Sequence, residues 1–227
     1  MKSIFAKLAN DADVNSLGSY FRRKRAKVLK SFLDQIKVEK IRILDIGGRS
    51  SFWNNIQLGD YMKRLDITIV NIEENRDSTE RFKYIAADAR DLPFLVDSFE
   101  VVFSNSVIEH VVGDNGVTFC EQQKMANEIL RVGRRFFVQT PNYWFPMEPH
   151  FMFPFFQWLP ISIKACLLRN FNLGWYKKIK NKDDSIRIAK SIRLLSLKEM
   201  NSLFPDSNTY KEIFFGFTKS ITKYSKI

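Results

Sequence analysis

The sequence predicts an α/β domain built on a mostly parallel β-sheet closed by an antiparallel hairpin. Three observations carry this. From Ile41 onward, short β-rich runs alternate with segments able to hold helices, which is the rhythm of βαβ units. Several of those runs end in acidic residues, at the edge where open α/β sheets bind ligands. Near the end of the chain two strand-like runs, Tyr210–Phe215 and Phe217–Thr222, flank Gly216 as a hairpin would.

The elements follow in order. Residues 19–37 read as a helix with Phe21, Val28, Leu29, Phe32, Leu33 and Ile36 on one side. The run Arg22-Arg23-Lys24-Arg25 at its start is predicted to face outward, where basic residues oppose the helix dipole. Strands are predicted at Ile41–Ile46, Ile67–Ile72, Phe82–Ala86, Val101–Ser104 and Phe136–Thr140. A capping box, Thr118 to Glu121, opens a helix that places Phe119, Met125, Ile129 and Leu130 on one face and stops at Gly133. A second box, Ser196 to Glu199, opens a short helix that ends near Pro205. Between Thr140 and Ser196 the rhythm breaks, with Pro141, Pro146, Pro149, Pro154 and Pro160 among many Phe and Trp. That stretch is too apolar for a linker and reads as an insertion folding over one end of the sheet.

The organisation is therefore one domain over 1–227: a basic helical segment (1–40), a core (41–142), an aromatic and basic cap (143–195), and a C-terminal helix and hairpin (196–227). At 227 residues, 45% hydrophobic and 27% charged, the chain can bury a sizeable core and has an ordinary soluble composition. Cys120 and Cys166 form no disulfide framework, and with His110 and His150 as its two histidines the chain is expected to hold no metal. Met1–Asn10 lacks a long apolar region, and Phe151–Ile163 is too short to span a bilayer, so a cytoplasmic location is expected.

The net charge of +11 is uneven: +6 over residues 1–40, −3 over 41–142 and +8 over 143–227. The excess fits either a solubilising surface or attraction to an anionic substrate, membrane or nucleic acid.

Chemistry concentrates in the acidic middle. Ile43-Leu-Asp-Ile-Gly-Gly48 is a buried strand entering a glycine turn, where Gly47 and Gly48 permit close backbone approach to a nucleotide-like ligand. Asp45 can take the ammonium of an amino-acid tail. The second strand ends in Asn71-Ile-Glu73, whose polar side chains suit ribose hydroxyls. The third ends in Ala87-Asp88-Ala89, with Asp88 able to accept from an adenine amino group. Each such Asp alone is an ordinary turn residue; the series behind a glycine turn is the signal.

Leu44-Asp-Ile-Gly-Gly48, Asp88, and the block Leu92-Pro-Phe, Asp97-Ser-Phe-Glu-Val-Val102 and Ile108-Glu-His-Val111 resemble class I S-adenosylmethionine (SAM)-dependent methyltransferases of the broad type 11 group. The resemblance covers residues 41–142, and the later Thr140-Pro-Asn142, Phe145–His150 and Lys190–Leu195 look like a bacterial subfamily. It implies a Rossmann-like seven-stranded, mostly parallel sheet with helices on both faces and a reversed C-terminal hairpin. It implies SAM as cofactor and S-adenosylhomocysteine as product. Asp45, Gly47 and Gly48 then belong to the methionine end, Asp88 and Ala89 to adenine, Asn71 or Glu73 to ribose, with Ser104 at the fourth strand's end as a further cofactor contact. Arg49, Ser50 and Ser51 stand where the family carries more glycine, and Asn71 where it carries an acid.

Methyl transfer to a hydroxyl is helped by a general base, and histidine is the commonest choice. His110 serves as base or as a structural hydrogen-bonding group beneath the cofactor; His150, with Glu148 nearby, serves as base or as part of the cap. Tyr143 and Trp144 shape an acceptor pocket or pack as core. The cap reads as a lid, as the lining of an apolar pocket, or as a membrane-interface element whose Lys164, Arg169, Lys177, Lys178 and Lys180 meet anionic headgroups.

The expected function is SAM-dependent methyl transfer, O-methylation favoured, to a small-molecule, glycan or lipid-linked acceptor. A nucleic-acid methyltransferase is the alternative from the basic flanks, weakened by the lack of an RNA-binding motif or an Asn-Pro-Pro-Tyr-type motif. A non-catalytic membrane-peripheral protein is the third, resting on Arg49 and Asn71.

Overall fold

The computed structural model describes residues 17–56, 58–73, 79, 81–113 and 116–227. The expectation for Met1–Asn10, and the first part of the basic N-terminal segment, lie outside the described residues.

Seven strands form one sheet: β1 (Ile41–Ile46), β2 (Leu65–Asn71), β3 (Phe82–Ala86), β4 (Val101–Asn105), β5 (Phe136–Pro141), β6 (Ser207–Phe214) and β7 (Phe217–Ser225). Their spatial order is β6-β7-β5-β4-β1-β2-β3. The pairs β1·β2, β1·β4, β2·β3 and β4·β5 are parallel, and β7 runs antiparallel to both β5 and β6. Strand order therefore reverses between β1 and β4, which opens a crevice at the carboxyl ends of the central strands. β1 to β5 begin and end within two residues of the runs predicted from sequence, and the hairpin strands extend further at their outer ends.

The helices are α1 (Leu17–Asp34), α2 (Ser50–Asn55), α3 (Phe119–Val132), α4 (Ile161–Asn170), α5 (Lys182–Lys190) and α6 (Leu197–Leu203). Successive residues of a strand point to opposite faces, so each central strand feeds two cores. On one face Leu44, Val102 and Val138 pack against Met125 and Ile129 of α3 and Met200 of α6. On the other, Ile43, Ile67, Phe103 and Phe137 pack against Leu29, Phe32 and Leu33 of α1 and Trp53 of α2. Burial on both faces explains why these strands read as continuous apolar runs rather than alternating ones.

Three local expectations need correction. Arg25 does not face outward: it is buried, 9% exposed, and bonded to Glu212, Asn105 and Gln139. Leu130 is not on the buried face of α3 but 41% exposed. Thr118 caps α3 by accepting from the Glu121 amide, yet Glu121 does not complete the box, because its carboxylate binds Arg90 and Lys124. The Ser196–Glu199 box is complete.

The cap leaves β5 and returns beside it, with Asn142 bridged to Leu195 and the Tyr143 amide donating to the Leu195 carbonyl. Between these points Phe151, Phe156, Leu168, Leu173 and Ala189 form a small core of the cap's own. Gln122 of α3 fastens the returning chain, its amide donating to the carbonyls of Ile108 and Arg193. No helix among the described residues is long and apolar enough to cross a membrane.

Candidate functional site

Two cavities of similar size open at the carboxyl end of the sheet. The first, about 690 Å³, is lined by Gly47, Gly48, Asn71, Glu73, Asp88, Ala89 and His110, among others. These residues come from the ends of β1, β2 and β3 and from the turn after β4, so the topology gathers groups far apart in sequence.

Its floor is the glycine turn after β1. Gly47 has φ +70, and a Cβ there would meet Val107 at 2.6 Å. A Cβ on Gly48 would collide with the Asp45 carboxylate, which lies directly beneath the turn. Asp45 is 1% exposed; Trp53 Nε1 donates to its Oδ2 at 2.7 Å, and its Oδ1 has no partner among the described residues. Burial pushes the Asp45 carboxyl up to about 7, against the lowering effect of the Trp53 bond. Asp45 lies beneath the turn and outside the cavity's lining; an ammonium brought to its orphaned, buried oxygen would relieve the desolvation, so the group fits an amino-acid tail from below the turn.

Asn71 braces this turn, its Nδ2 donating to the Gly48 carbonyl at 3.1 Å, while Glu73 stands exposed at the rim. Sequence reasoning missed Tyr84, whose hydroxyl accepts from the Ser50 amide at 3.2 Å and which lines the cavity. It also missed Arg90. The Asp88 carboxylate is held by Arg90 at 2.6 Å, and the Arg90 guanidinium reaches on to Glu121 at 2.6 Å. The Arg90 bond outweighs partial burial and lowers the Asp88 pKa. The Asp-x-Arg spacing was the available signal. Ser104 is wholly buried on the α3 side and lines neither cavity.

The second cavity, about 710 Å³, lies under the cap, with Phe119, Tyr143, Trp144, Glu148, Phe156 and Lys164 in its walls. Both predicted acceptor residues, Tyr143 and Trp144, are there.

A chain of three side chains joins the cavities. Glu148, 1% exposed, accepts the amides of His150 and Phe151 on Oε2 and meets His150 Nδ1 at 2.7 Å with Oε1. His150 Nε2 lies 3.0 Å from His110 Nε2, with the rings edge to face. His110 sits in the wall of the first cavity and Glu148 in the wall of the second. Burial alone lowers the His150 pKa, but the bond and charge of Glu148 outweigh it and the net shift is upward. Burial and the neighbouring His150 lower His110 to about 4. Beside them Glu109 is fully buried, one oxygen accepting from Thr140 Oγ1 at 2.9 Å and the other without a partner among the described residues. Burial raises its carboxyl to about 7. No sequence motif pairs His110 with His150; the fold of the cap does.

Residues 44–135 match the family model described as a methyltransferase domain. Among solved structures, the CurJ carbon methyltransferase is 13% identical with a TM-score of 0.56, the match covering 97% of this chain and 57% of that one. A phosphoethanolamine N-methyltransferase 2 of Haemonchus contortus, in complex with phosphomonomethylethanolamine and S-adenosylhomocysteine, is 15% identical with a TM-score of 0.53, covering 91% and 42%. The PH0226 protein of Pyrococcus horikoshii is 15% identical with a TM-score of 0.51, covering 98% and 97%. The chain thus spans a little over half of the first and under half of the second, and at these identities the likeness is one of fold. No curated protein matches the sequence. Residues 44–135 thus match a methyltransferase domain, for which SAM is the cofactor, and the order of the seven strands is the fold the chain shares with the CurJ carbon methyltransferase.

Proposed function

We propose that the chain methylates a hydroxyl of a small-molecule, glycan or lipid-linked acceptor seated in the 710 Å³ cavity under the cap. The observation that carries this reading is the Glu148–His150–His110 chain, which runs from the wall of that cavity to the wall of the other. Asp45, Gly47 and Gly48 would hold the methionine end of SAM, Asn71 or Glu73 the ribose, and Asp88 with Ala89 the adenine. When bound, SAM supplies an electrophilic methyl group that is displaced in line from its sulfonium.

The chain's own part is to align the acceptor, exclude water and take the hydroxyl proton. Hydrogen bonding assigns the tautomers. His150 donates Nδ1–H to Glu148 and accepts the Nε2–H of His110, which leaves His110 Nδ1 free to accept. As the new O–C bond forms, the hydroxyl proton goes to His110 Nδ1, and the His110 Nε2 proton passes to His150. The resulting imidazolium is held against the Glu148 carboxylate, as in other base–orienter pairs. Tyr143 and Trp144 form the acceptor's walls.

Isothermal titration of the purified protein with SAM and S-adenosylhomocysteine, beside an Asp88→Ala variant, tests the cofactor half of this reading. Both ligands are expected to bind, more weakly in the variant; folded protein that binds neither sinks it. Transfer of labelled methyl to hydroxyl acceptors, slowed roughly 10²-fold or more in His150→Ala, tests the other half. Glu109, His110 and His150 also bring ligand-type atoms within 4.8 Å of one another, so a metal ion is the rival occupant of the relay. Stoichiometric metal in the purified protein would replace the base role with a Lewis-acid one.

A further inference from the structure

The walls of the cavity under the cap carry an imbalance of charge. Two carboxylates face it, and both are saturated by donors. Glu148 is held by two backbone amides and His150. Glu199 is held by Arg193 and by the Ser196 amide and hydroxyl. The Arg193 guanidinium is likewise engaged, by Glu199 and by Gln122 Oε1 at 2.7 Å, and it lies over the Phe119 ring. Lys164 differs. Its ammonium reaches the Gln157 carbonyl at 3.2 Å and the face of Phe156 at 5.7 Å, and no carboxylate of a described residue lies within ion-pair distance. The side chain is partly buried on α4, and this burial lowers its pKa despite the more distant charge of Glu148. A desolvated ammonium without a counter-ion is costly unless a ligand supplies one. Lys198 adds a second, exposed cation at the same wall.

We infer that the acceptor is an anionic amphiphile: an apolar body lies against Phe119, Tyr143, Trp144 and Phe156, and a phosphate or carboxylate group pairs with Lys164. Aromatic walls select the body by shape and stacking, and the ammonium selects the charge through an ion pair that the cap shields from water. This inference rests on the reading of this cavity as the acceptor site.

The test is titration of the full chain, in the presence of S-adenosylhomocysteine, with 2-naphthyl phosphate, 2-naphthoate and neutral 2-naphthol. Both anions are expected to bind at least about tenfold more tightly than naphthol, a gap within the range of one charge-assisted bond. Lys164→Met is expected to remove that gap while leaving naphthol and S-adenosylhomocysteine binding unchanged, and Lys164→Arg to keep it. Whether phosphate outranks carboxylate identifies the anionic group. Equal binding of the three probes, binding of none, or an anion preference that survives Lys164→Met would each overturn the inference. Wild-type protein that fails to bind S-adenosylhomocysteine would instead overturn the methyl-transfer reading, and the comparison of the three probes would still decide this one.

Discussion

His110 and His150 bring their Nε2 atoms to 3.0 Å although they lie on opposite sides of the cap's entry point, one after β4 and one inside the insertion. The asymmetry of the pair comes from Glu148, which meets His150 Nδ1 at 2.7 Å, whereas the Glu109 carboxylate, within 4.8 Å of both rings, is bonded to Thr140. In the proposed relay the proton acceptor is then His150, whose charge Glu148 stabilises, and His110 is the conduit.

This asymmetry sets the pH dependence. His150 has a raised pKa, so it is already protonated below that value and the relay cannot accept the hydroxyl proton. Methyl transfer is expected to fall as pH drops through an inflection above 6.5, the ordinary histidine value, and to plateau above it. Glu148→Gln removes the raising influence and leaves burial, so the inflection should move to lower pH. His150→Ala should cost roughly 10²-fold or more in kcat, the usual worth of a general base, with S-adenosylhomocysteine binding preserved. A pH–rate profile with labelled SAM checks all three; an unchanged inflection in Glu148→Gln would refute the relay.

Asp45 predicts a second pH effect, on cofactor affinity. Its folded pKa of about 7 lies above the unfolded value, so the buried ionised form is penalised in the free protein. Stability should therefore decline as pH rises from about 4 to about 7, and remain level above that. The ammonium of SAM favours the ionised form, so binding should release a proton and strengthen with pH across the same window. Calorimetry in buffers of different ionisation enthalpy measures the proton. Asp45→Asn should abolish the release and weaken SAM about tenfold or more.

Gly48 isolates the steric half of the same device. Alanine there would drive its Cβ into the Asp45 carboxylate, which Trp53 pins in place. Overpacking of this kind costs roughly 1–3 kcal/mol. Gly48→Ala is expected to lower the urea midpoint and SAM affinity together, whereas Gly59→Ala, where a Cβ meets nothing within 4 Å, should leave SAM affinity intact. Equal SAM affinity in Gly48→Ala and wild type would show that the turn does not set the cofactor's seat.

Much of this was legible in the sequence because it is local. Strand ends, the glycine turn and the series Asp45, Asn71, Glu73, Asp88 follow from apolar runs punctuated by acids, and those residues other than Asp45 do line one cavity. What was not legible depends on pairing across long separations. Neither Glu148 nor Lys164 announces which cavity it faces, since the cap's course over the sheet is set by its own small core of Phe151, Phe156 and Leu168. Arg25 is the instructive error. The run Arg22–Arg25 reads as outward when taken as a block, but Arg25 lies four residues after Phe21 and four before Leu29, on the buried stripe of α1.

That error defines the last prediction. Arg25 Nε donates to Glu212 Oε1 at 2.9 Å, and the guanidinium also reaches Glu212 Oε2 at 3.3 Å and Gln139 Oε1 at 3.0 Å. Ser220 Oγ donates to Glu212 at 2.6 Å, so the carboxylate from β6 is saturated inside the junction of α1 with the hairpin. Removing the arginine leaves a buried carboxylate, 1% exposed, with its main counter-charge gone. Such a loss typically costs about 3–5 kcal/mol, more than replacing both partners. Arg25→Leu should therefore destabilise strongly in urea, and the double variant Arg25→Leu/Glu212→Leu should recover much of the loss. If the double variant is instead as unstable as the sum of the two singles, the pair is not coupled, and α1 must be held to the hairpin by Phe21, which meets the Phe214 ring at 5.9 Å.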